Sequence, residues 1–454
     1  MRFFFAAVLM TTMACNLPLN HSQDHMSKHG LPLLFWETED IADPFGRIEF
    51  RAEPLRNLGA ASGYPHMQYG CQVPRAEGGS FIYGWTVQNW ADSSNRVLEV
   101  VRCATEDGVT FFDEKVVYSH GNTAWQGFAN IVRRPDDGAI FLFSWAAGRL
   151  YVFRSDDGEN FTLLTEEAYA GHDAMCVTWY PPFGQFLNYQ TVTQPYPKRY
   201  PDNIGALRRV LSFRRSADGV RWDSFSPSFL EGENLWLPDS ADPADLEFYR
   251  VAVFPHLGRY AMLIADYMPP PAEANSRRAT TKHGPSYIAE WAISRDGLNW
   301  KRAFRDTNAY ASQFWLALQG PLVQDGLLRF YHPDGRIAGL PSDRIFYATC
   351  RANGEFSTPP FSMPAEGLVL NAYAMYREVE RPSGQAYIMA ELHHAKGGVI
   401  PGYERTKCLF EDRDGRKLPL IWEGKNGGEV AGQQVRVRLF LRDAKIYGIT
   451  SAAK

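Results

Sequence analysis

One motif recurs along the chain and limits the fold more than any other feature of the sequence. Thr105-Glu106-Asp107-Gly108-Val109-Thr110-Phe111, Ser155-Asp156-Asp157-Gly158-Glu159-Asn160-Phe161, Ser216-Ala217-Asp218-Gly219-Val220-Arg221-Trp222 and Ser294-Arg295-Asp296-Gly297-Leu298-Asn299-Trp300 share one pattern. Each has Ser or Thr two residues before an Asp-Gly pair and an aromatic three residues after the Gly. Cys350-Arg351-Ala352-Asn353-Gly354-Glu355-Phe356 reads as a worn fifth copy, one residue shorter after the turn. Asp-Gly and Asn-Gly supply the positive φ values of a tight hairpin turn. The hydroxyl can bond the turn backbone, and the aromatic is expected to pack one unit against the next. Strand-like runs such as Leu150-Tyr151-Val152-Phe153 precede the copies, which lie 50 to 78 residues apart, Gly to Gly. This spacing predicts an all-β fold, a five-bladed β-propeller over residues 31–360.

A second repeat lies upstream of each hairpin. Asp245–Tyr260 and Gly171–Phe186 align without gaps as strand, Pro-containing turn, Gly and strand. In a propeller the first strand of each blade lines the central channel. Anchoring the blades on the turn Gly sets Glu247 level with Asp173, Gln68, Gly127 and Trp315. Two residues earlier, nearer the expected mouth, stand His66, Trp125, Gly171, Asp245 and Gln313. Residues i and i+2 of a strand share a face, so Asp245, Glu247 and Tyr249 are expected to point the same way.

After Phe361 the pattern changes to alternating strands, such as Val435-Arg436-Val437-Arg438-Leu439. Residues 361–454 suit a small β-sandwich, expected to pack against the propeller. At the other end, Met1–Cys15 has one Arg, an apolar run and small residues, as a short secretory signal does. Cys15 after Ala14 gives a lipoprotein-like site, hence a lipid anchor as an alternative to a free secreted chain; a start at Met26 would remove both. The expected location is exported: periplasmic, cell-surface or secreted. Cys71, Cys103, Cys176, Cys350 and Cys408 show no CxxC or Cys/His metal spacing and read as buried thiols. A net charge of −4 gives no basic footprint for nucleic acid, and no interior run reaches the roughly 20 apolar residues of a transmembrane span. No motif calls for a metal or another cofactor.

From about residue 31 onward the sequence resembles the secreted, glycoside-hydrolase-like five-bladed propellers of environmental bacteria. The resemblance rests on Leu34-Phe35-Trp36-Glu37-Thr38-Glu39-Asp40-Ile41, the SxDGxxW hairpins, Ile400-Pro401-Gly402-Tyr403, Trp422-Glu423-Gly424 and Val435–Tyr447. The propeller part is similar to the wider group of invertases, arabinanases and levansucrases. That group uses three carboxylates from successive blades, whereas the acids here, Asp173, Asp245 and Glu247, come from two adjacent ones.

Glycoside cleavage needs one carboxyl to protonate the leaving oxygen and another to activate water or attack the anomeric carbon. Asp173, Asp245 and Glu247 are the candidates, with their order unassigned. The bland alternative is that Asp245 caps its loop and Glu247 pairs with an Arg. Trp125, Tyr249 and Trp315 are candidate faces for sugar rings. His66, His172 and His332, with Gln68 and Gln313, complete the candidate substrate-binding set. Glu290 reads as structural. The insertions Tyr196–Arg208 and Tyr267–Ser286 belong to the acid-bearing blades. The expected partner is a poly- or oligosaccharide, cleaved by hydrolysis; a polysaccharide lyase and a non-catalytic glycan-binding surface protein are the alternatives.

Overall fold

A computed structural model describes residues 30–92, 94–121, 125–146, 148–168, 174–197, 204–223, 235–268, 286–305, 309, 319–375 and 386–452. These residues are all-β apart from short 3-10 turns. Among them no helix is long and apolar enough to cross a membrane.

Five antiparallel sheets have four strands each. The first comprises Gln68–Pro74, Ser80–Gln88, Val97–Thr105 and Phe111–Gly121, and the second Trp125–Arg133, Ile140–Ala146, Arg149–Ser155 and Thr162–Ala168. The third comprises Met175–Tyr180, Gln185–Pro195, Leu207–Ser216 and Leu235–Trp236, and the fourth Glu247–His256, Arg259–Met268, Ser286–Ser294 and Trp300–Lys301. The fifth takes Leu322–Gln324, Leu327–Tyr331 and Arg336–Pro341, and its outer strand is Arg56–Ala60 from far upstream. The first strands of the first four sheets pack side by side in order.

Apolar side chains fill the seams between successive sheets. Phe141, Phe143 and Val152 of the second sheet meet Met175, Val177 and Phe186 of the third. Leu187 and Leu211 of the third meet Val251, Met262 and Ile264 of the fourth. Tyr331 and Ile337 of the fifth pack on Ile82 and Val101 of the first, so the series closes on itself. Each such Val, Leu, Ile or Phe contributes roughly 1.5–3 kcal/mol by leaving water.

The four good copies of the motif all join the third and fourth strands of their sheets. In each, the Gly N–H donates to the Ser or Thr hydroxyl at 2.8–2.9 Å. The Asp Oδ1 accepts the next two backbone N–H groups at 2.7–2.9 Å. Only the Gly takes a positive φ, between 69° and 79°. The Asp was expected to share that conformation; its side chain caps the turn instead. Aromatic side chains of the neighbouring sheet close over these glycines: Tyr331 Oη donates to the Gly108 carbonyl at 2.6 Å, and Tyr189 Oη donates to that of Gly297.

The fifth copy is a correction. Phe346–Cys350 and Gly354–Ser357, on either side of Asn353, do not pair with each other but enter two different six-stranded sheets. The physical reason is topological: the fifth sheet's outer strand is Arg56–Ala60, so no hairpin can join its third strand to its fourth.

One six-stranded sheet contains Leu33–Leu34, Glu49–Ala52, Phe346–Cys350, Leu368–Ala374, Arg413–Pro419 and Ala444–Ser451. The other contains Ala42–Phe45, Gly354–Ser357, Phe361–Ser362, Tyr387–His394, Leu409–Glu411 and Gln434–Arg442. Phe356, Leu370, Ile388, Leu439 and Ile446 from the two sheets share one core. Strands upstream of residue 361, some as early as Leu33, therefore pair into the same sheets as the C-terminal region. Cys103, Cys176, Cys350 and Cys408 are buried and Cys71 is half-buried; all five are free thiols.

Candidate active site

The fourth sheet's first strand, Glu247–His256, is held at its leading end by the third sheet. Arg208 Nε donates to the Leu246 carbonyl at 2.7 Å, and Thr191 Oγ1 donates to the Tyr249 carbonyl at 2.7 Å. Between those anchors, Arg209 Nη1 donates to Glu247 Oε2 at 2.7 Å, with the two side chains 2% and 0% exposed. The Arg209 guanidinium lies 4.9 Å from the Tyr249 ring centroid and 5.2 Å from that of Tyr267. The two rings are 5.7 Å apart. Tyr249 sits at a bulge, where the register against the next strand shifts between Phe248 and Arg250. Asp245 is buried just upstream. Burial lowers the Arg208 pKa, against the opposing charges of Tyr196, Glu247, Asp242 and Asp245.

A second polar cluster occupies the other face of the same strand end. Glu247 pairs across the sheet with Tyr267, and Phe248 with Asp266, so the two pairs point to opposite faces. Asp266 shares its face with Ile288 and, one repeat on, Glu290. Glu290 accepts from Arg302 Nε at 3.0 Å and Nη2 at 2.6 Å. Arg302 Nη1 donates to Asp242 Oδ2 at 2.5 Å. Burial, then the nearby Glu290 carboxylate, pushes the Asp266 carboxyl up to about 9. Burial works against the charge on Arg302, but Glu290 and Asp242 outweigh it and raise its pKa.

The candidate residues are distributed unevenly. Glu247 and Tyr249 both meet Arg209, Asp245 is buried just upstream, and Glu247 has the Arg partner of the bland alternative. Gln68 and Trp125 open the first strands of the first and second sheets, and Gln68 is half-buried. His66 is exposed just ahead of Gln68. His332 lies in the turn between the fifth sheet's second and third strands, its Nδ1 2.6 Å from Asp334 Oδ1. Asp334 also accepts from Arg336 Nε at 2.9 Å. Asp173, His172, Gln313 and Trp315 lie outside the described residues, as do residues 198–203 and 269–285 of the two insertions. Glu290, expected to be structural, is buried within the Arg302 cluster.

Arg209, Asp242, Asp266 and Arg302 were missed. A signal existed for Asp266 and Glu290: each is a lone carboxylate inside an apolar run, Met262-Leu263-Ile264-Ala265-Asp266 and Ile288-Ala289-Glu290-Trp291-Ala292. A buried strand admits such a residue only with a partner. Among the described residues no group of His, Cys, Asp and Glu is arranged to hold a metal ion.

No protein-family model matches the chain, and no curated protein matches it in sequence. Solved structures do resemble it. A family 117 glycoside hydrolase from the marine bacterium Zobellia galactanivorans aligns at 14% identity and a TM-score of 0.35, over 66% of this chain and 90% of its own. A β-fructofuranosidase from Schwanniomyces occidentalis, complexed with fructosyl-erythritol, aligns at 10% identity and a TM-score of 0.35, over 88% and 97%. A thermostable family-43 glycoside hydrolase aligns at 11% identity and a TM-score of 0.33, over 68% and 86%.

Proposed function

We propose that the protein is an exported, carbohydrate-active enzyme that hydrolyses a glycosidic bond in a poly- or oligosaccharide. In this reading the five four-stranded sheets are the blades of a five-bladed propeller and the two six-stranded sheets form a sandwich beside it. The blade reading is supported by apolar seams that run from each sheet to the next and from the fifth back to the first.

The observation that carries the functional reading is the leading end of Glu247–His256. Two buried carboxyl side chains, Asp245 and Glu247, stand there beside guanidinium groups and two tyrosine rings. Hydrolysis needs one carboxyl that gives a proton and one that attacks or activates water. Glu247, bonded to Arg209, suits the ionised role, either attacking the anomeric centre or stabilising the positive charge that develops there. Asp245 and Asp173 are left for the proton donor and the remaining role. Tyr249, half-buried, supplies a flat face of the kind sugar rings pack on, with the buried Tyr267 ring behind it.

The test is a glycan panel assayed for new reducing ends, with wild type, Glu247→Gln, Asp245→Asn and Asp173→Asn. Hydrolysis by wild type and a loss of roughly 10²–10⁴-fold in the Glu247→Gln variant, with glycan binding retained, supports the reading. Unsaturated products absorbing in the ultraviolet would replace it with a lyase. Binding without turnover in wild type would replace it with a glycan-binding protein.

A further inference from the structure

We propose that Arg302 is the positioning residue for Asp245 and Glu247. The inference rests on the hydrolase reading of that strand end and deepens it. Arg302 follows the fourth sheet's outer strand, Trp300–Lys301, and its side chain is 3% exposed. Two of its nitrogens hold Glu290, on the third strand. A third holds Asp242, in the connection that leads into the first strand. Its guanidinium also lies 4.8 Å from the ring centroid of Phe248, the residue after Glu247. One side chain thus fixes the path to the carboxylates on both sides: Asp242 three residues before Asp245, and Phe248 directly after Glu247.

Within the connection, Tyr196 Oη donates to the Ala244 carbonyl at 2.8 Å and Arg208 holds the Leu246 carbonyl, while a further set of bonds converges on Asp242. Asp242 Oδ1 accepts from Arg305 Nη1 at 2.8 Å, and Oδ2 accepts the Asp239 N–H at 2.7 Å. The Asp242 N–H donates to the Asp239 carbonyl at 3.1 Å. Arg305 also pairs with the Asp239 carboxylate. A planar fork with five donors can grip two carboxylates and stack on a ring at once, which a single ammonium cannot.

Arg302 sits on the Phe248 face, opposite Glu247, so it acts through the backbone and does not meet substrate. The charges fit a fixed scaffold. Asp239, Asp242, Asp266 and Glu290 face Arg302 and Arg305, and Asp266, held protonated near neutral pH, relieves the excess of negative charge.

The experiment uses the full chain as wild type, Asp242→Asn and Arg302→Lys. Hydrogen exchange over residues 237–247 is measured alongside kcat and KM on the best glycan of the panel, well below every melting temperature. The Arg302→Lys variant, which leaves a poorly matched cation among four carboxyls, can fail to fold; Asp242→Asn keeps the Arg302–Glu290 pair and carries the test. The expected result for Asp242→Asn is about tenfold faster exchange in that segment, a kcat about tenfold lower and KM within about twofold of wild type. Unchanged exchange and unchanged kcat would overturn the proposal, and so would a change in melting temperature alone. If wild type turns over no glycan, the hydrolase reading fails while the exchange measurement still decides whether Arg302 fixes the segment.

Discussion

At one end of the first four sheets, the third strand runs into the same capped turn four times; at the other end, the second and third strands are joined across spans of different length, from 147–148 to 269–285. The repeated end is backbone capping: a hydroxyl and a carboxylate satisfy three backbone N–H groups, and an aromatic of the neighbouring sheet covers the Gly in several seams. The unmatched end of the third and fourth sheets holds buried ion pairs, Arg209–Glu247 and Arg302 with Glu290 and Asp242. Burying charge costs several kcal/mol before any pairing repays it. A repeat has no need of that cost, because each hairpin only has to fit its neighbour. The difference teaches that turn capping and packing repeat from sheet to sheet, whereas each ion pair on a buried carboxylate, such as Arg209–Glu247, Arg302–Glu290 or Arg295 with Glu37 and Asp40, belongs to one place in the fold.

The largest expected effect breaks the unmatched end. Arg209→Ala leaves Glu247 as a buried carboxylate without its guanidinium and removes the cation lying over Tyr249 and Tyr267. The expected loss is about 3–5 kcal/mol in urea unfolding. A loss below about 1 kcal/mol would mean that the pair is dispensable and that the two ends do not differ in kind.

The next effect tests the repeated end. Gly158→Ala forces a side chain into the left-handed region, at φ 76°, and sets its Cβ against the Tyr83 hydroxyl. Gly148 has the same φ of 76° with nothing within 4 Å of an added Cβ. Gly148→Ala should therefore cost only the backbone term of about 1–2 kcal/mol. Gly158→Ala should cost about 1–3 kcal/mol more from overpacking, read from the difference in unfolding free energy. Equal losses would show that the hairpin does not rely on its fit to the neighbouring sheet.

The four hairpins were legible because their physics is local: seven residues contain the turn, its cap and its packing aromatic. The all-β class followed from them. The closing strand Arg56–Ala60 was not legible, because nothing in its sequence names a partner nearly 280 residues away, and Asn353-Gly354 filled its place falsely. The candidate site was half legible. Strand alternation set Glu247 and Tyr249 together, but Arg209 and Arg302 look like surface arginines until the sheets that bury them are paired. Asp266 was missed and Glu290 read as structural although each interrupts an apolar run, and only the register shows that they share a face.

A pH series sharpens the comparison at the unmatched end. The folded Asp266 carboxyl stays protonated up to about 9, above the usual carboxylate range it takes when unfolded. Between those limits the native state holds a proton that the unfolded chain has released, so stability falls as pH rises and levels off above the folded value. Asp266→Asn imitates the protonated form beside Glu290, Arg302 and Asp242 without titrating. The variant should match wild type near pH 4 and become more stable than it on going to pH 8, by at most about 1.4 kcal/mol per pH unit. Parallel curves for the two proteins would remove Asp266 as the proton-holding member of the cluster.

The smallest effect measures how uniform the repeated end is. Ser155→Ala, Ser216→Ala and Ser294→Ala each remove the hydroxyl that accepts the Gly N–H, and Thr105→Ala does the same in the first sheet. The glycine N–H keeps no other partner in the turn, so each loss should be about 1 kcal/mol. Because the bond lengths agree to within 0.1 Å, the four losses should agree to within about 0.5 kcal/mol. Acid adds a second check on the same turns. Backbone and side-chain hydrogen bonds, acting against burial, hold the Asp218 carboxyl down at about 2, so its support is complete above the usual carboxylate range and is lost as pH falls toward that value. Asp218→Asn should therefore match wild type in strong acid and be less stable than it near neutral pH, which flattens the acid limb of its stability curve. A scatter of several-fold among the four hydroxyl variants would mean that the hairpins are alike in hydrogen bonding but not in their contribution to stability, and that the Tyr, Phe and Trp contacts around each Gly set the hierarchy instead.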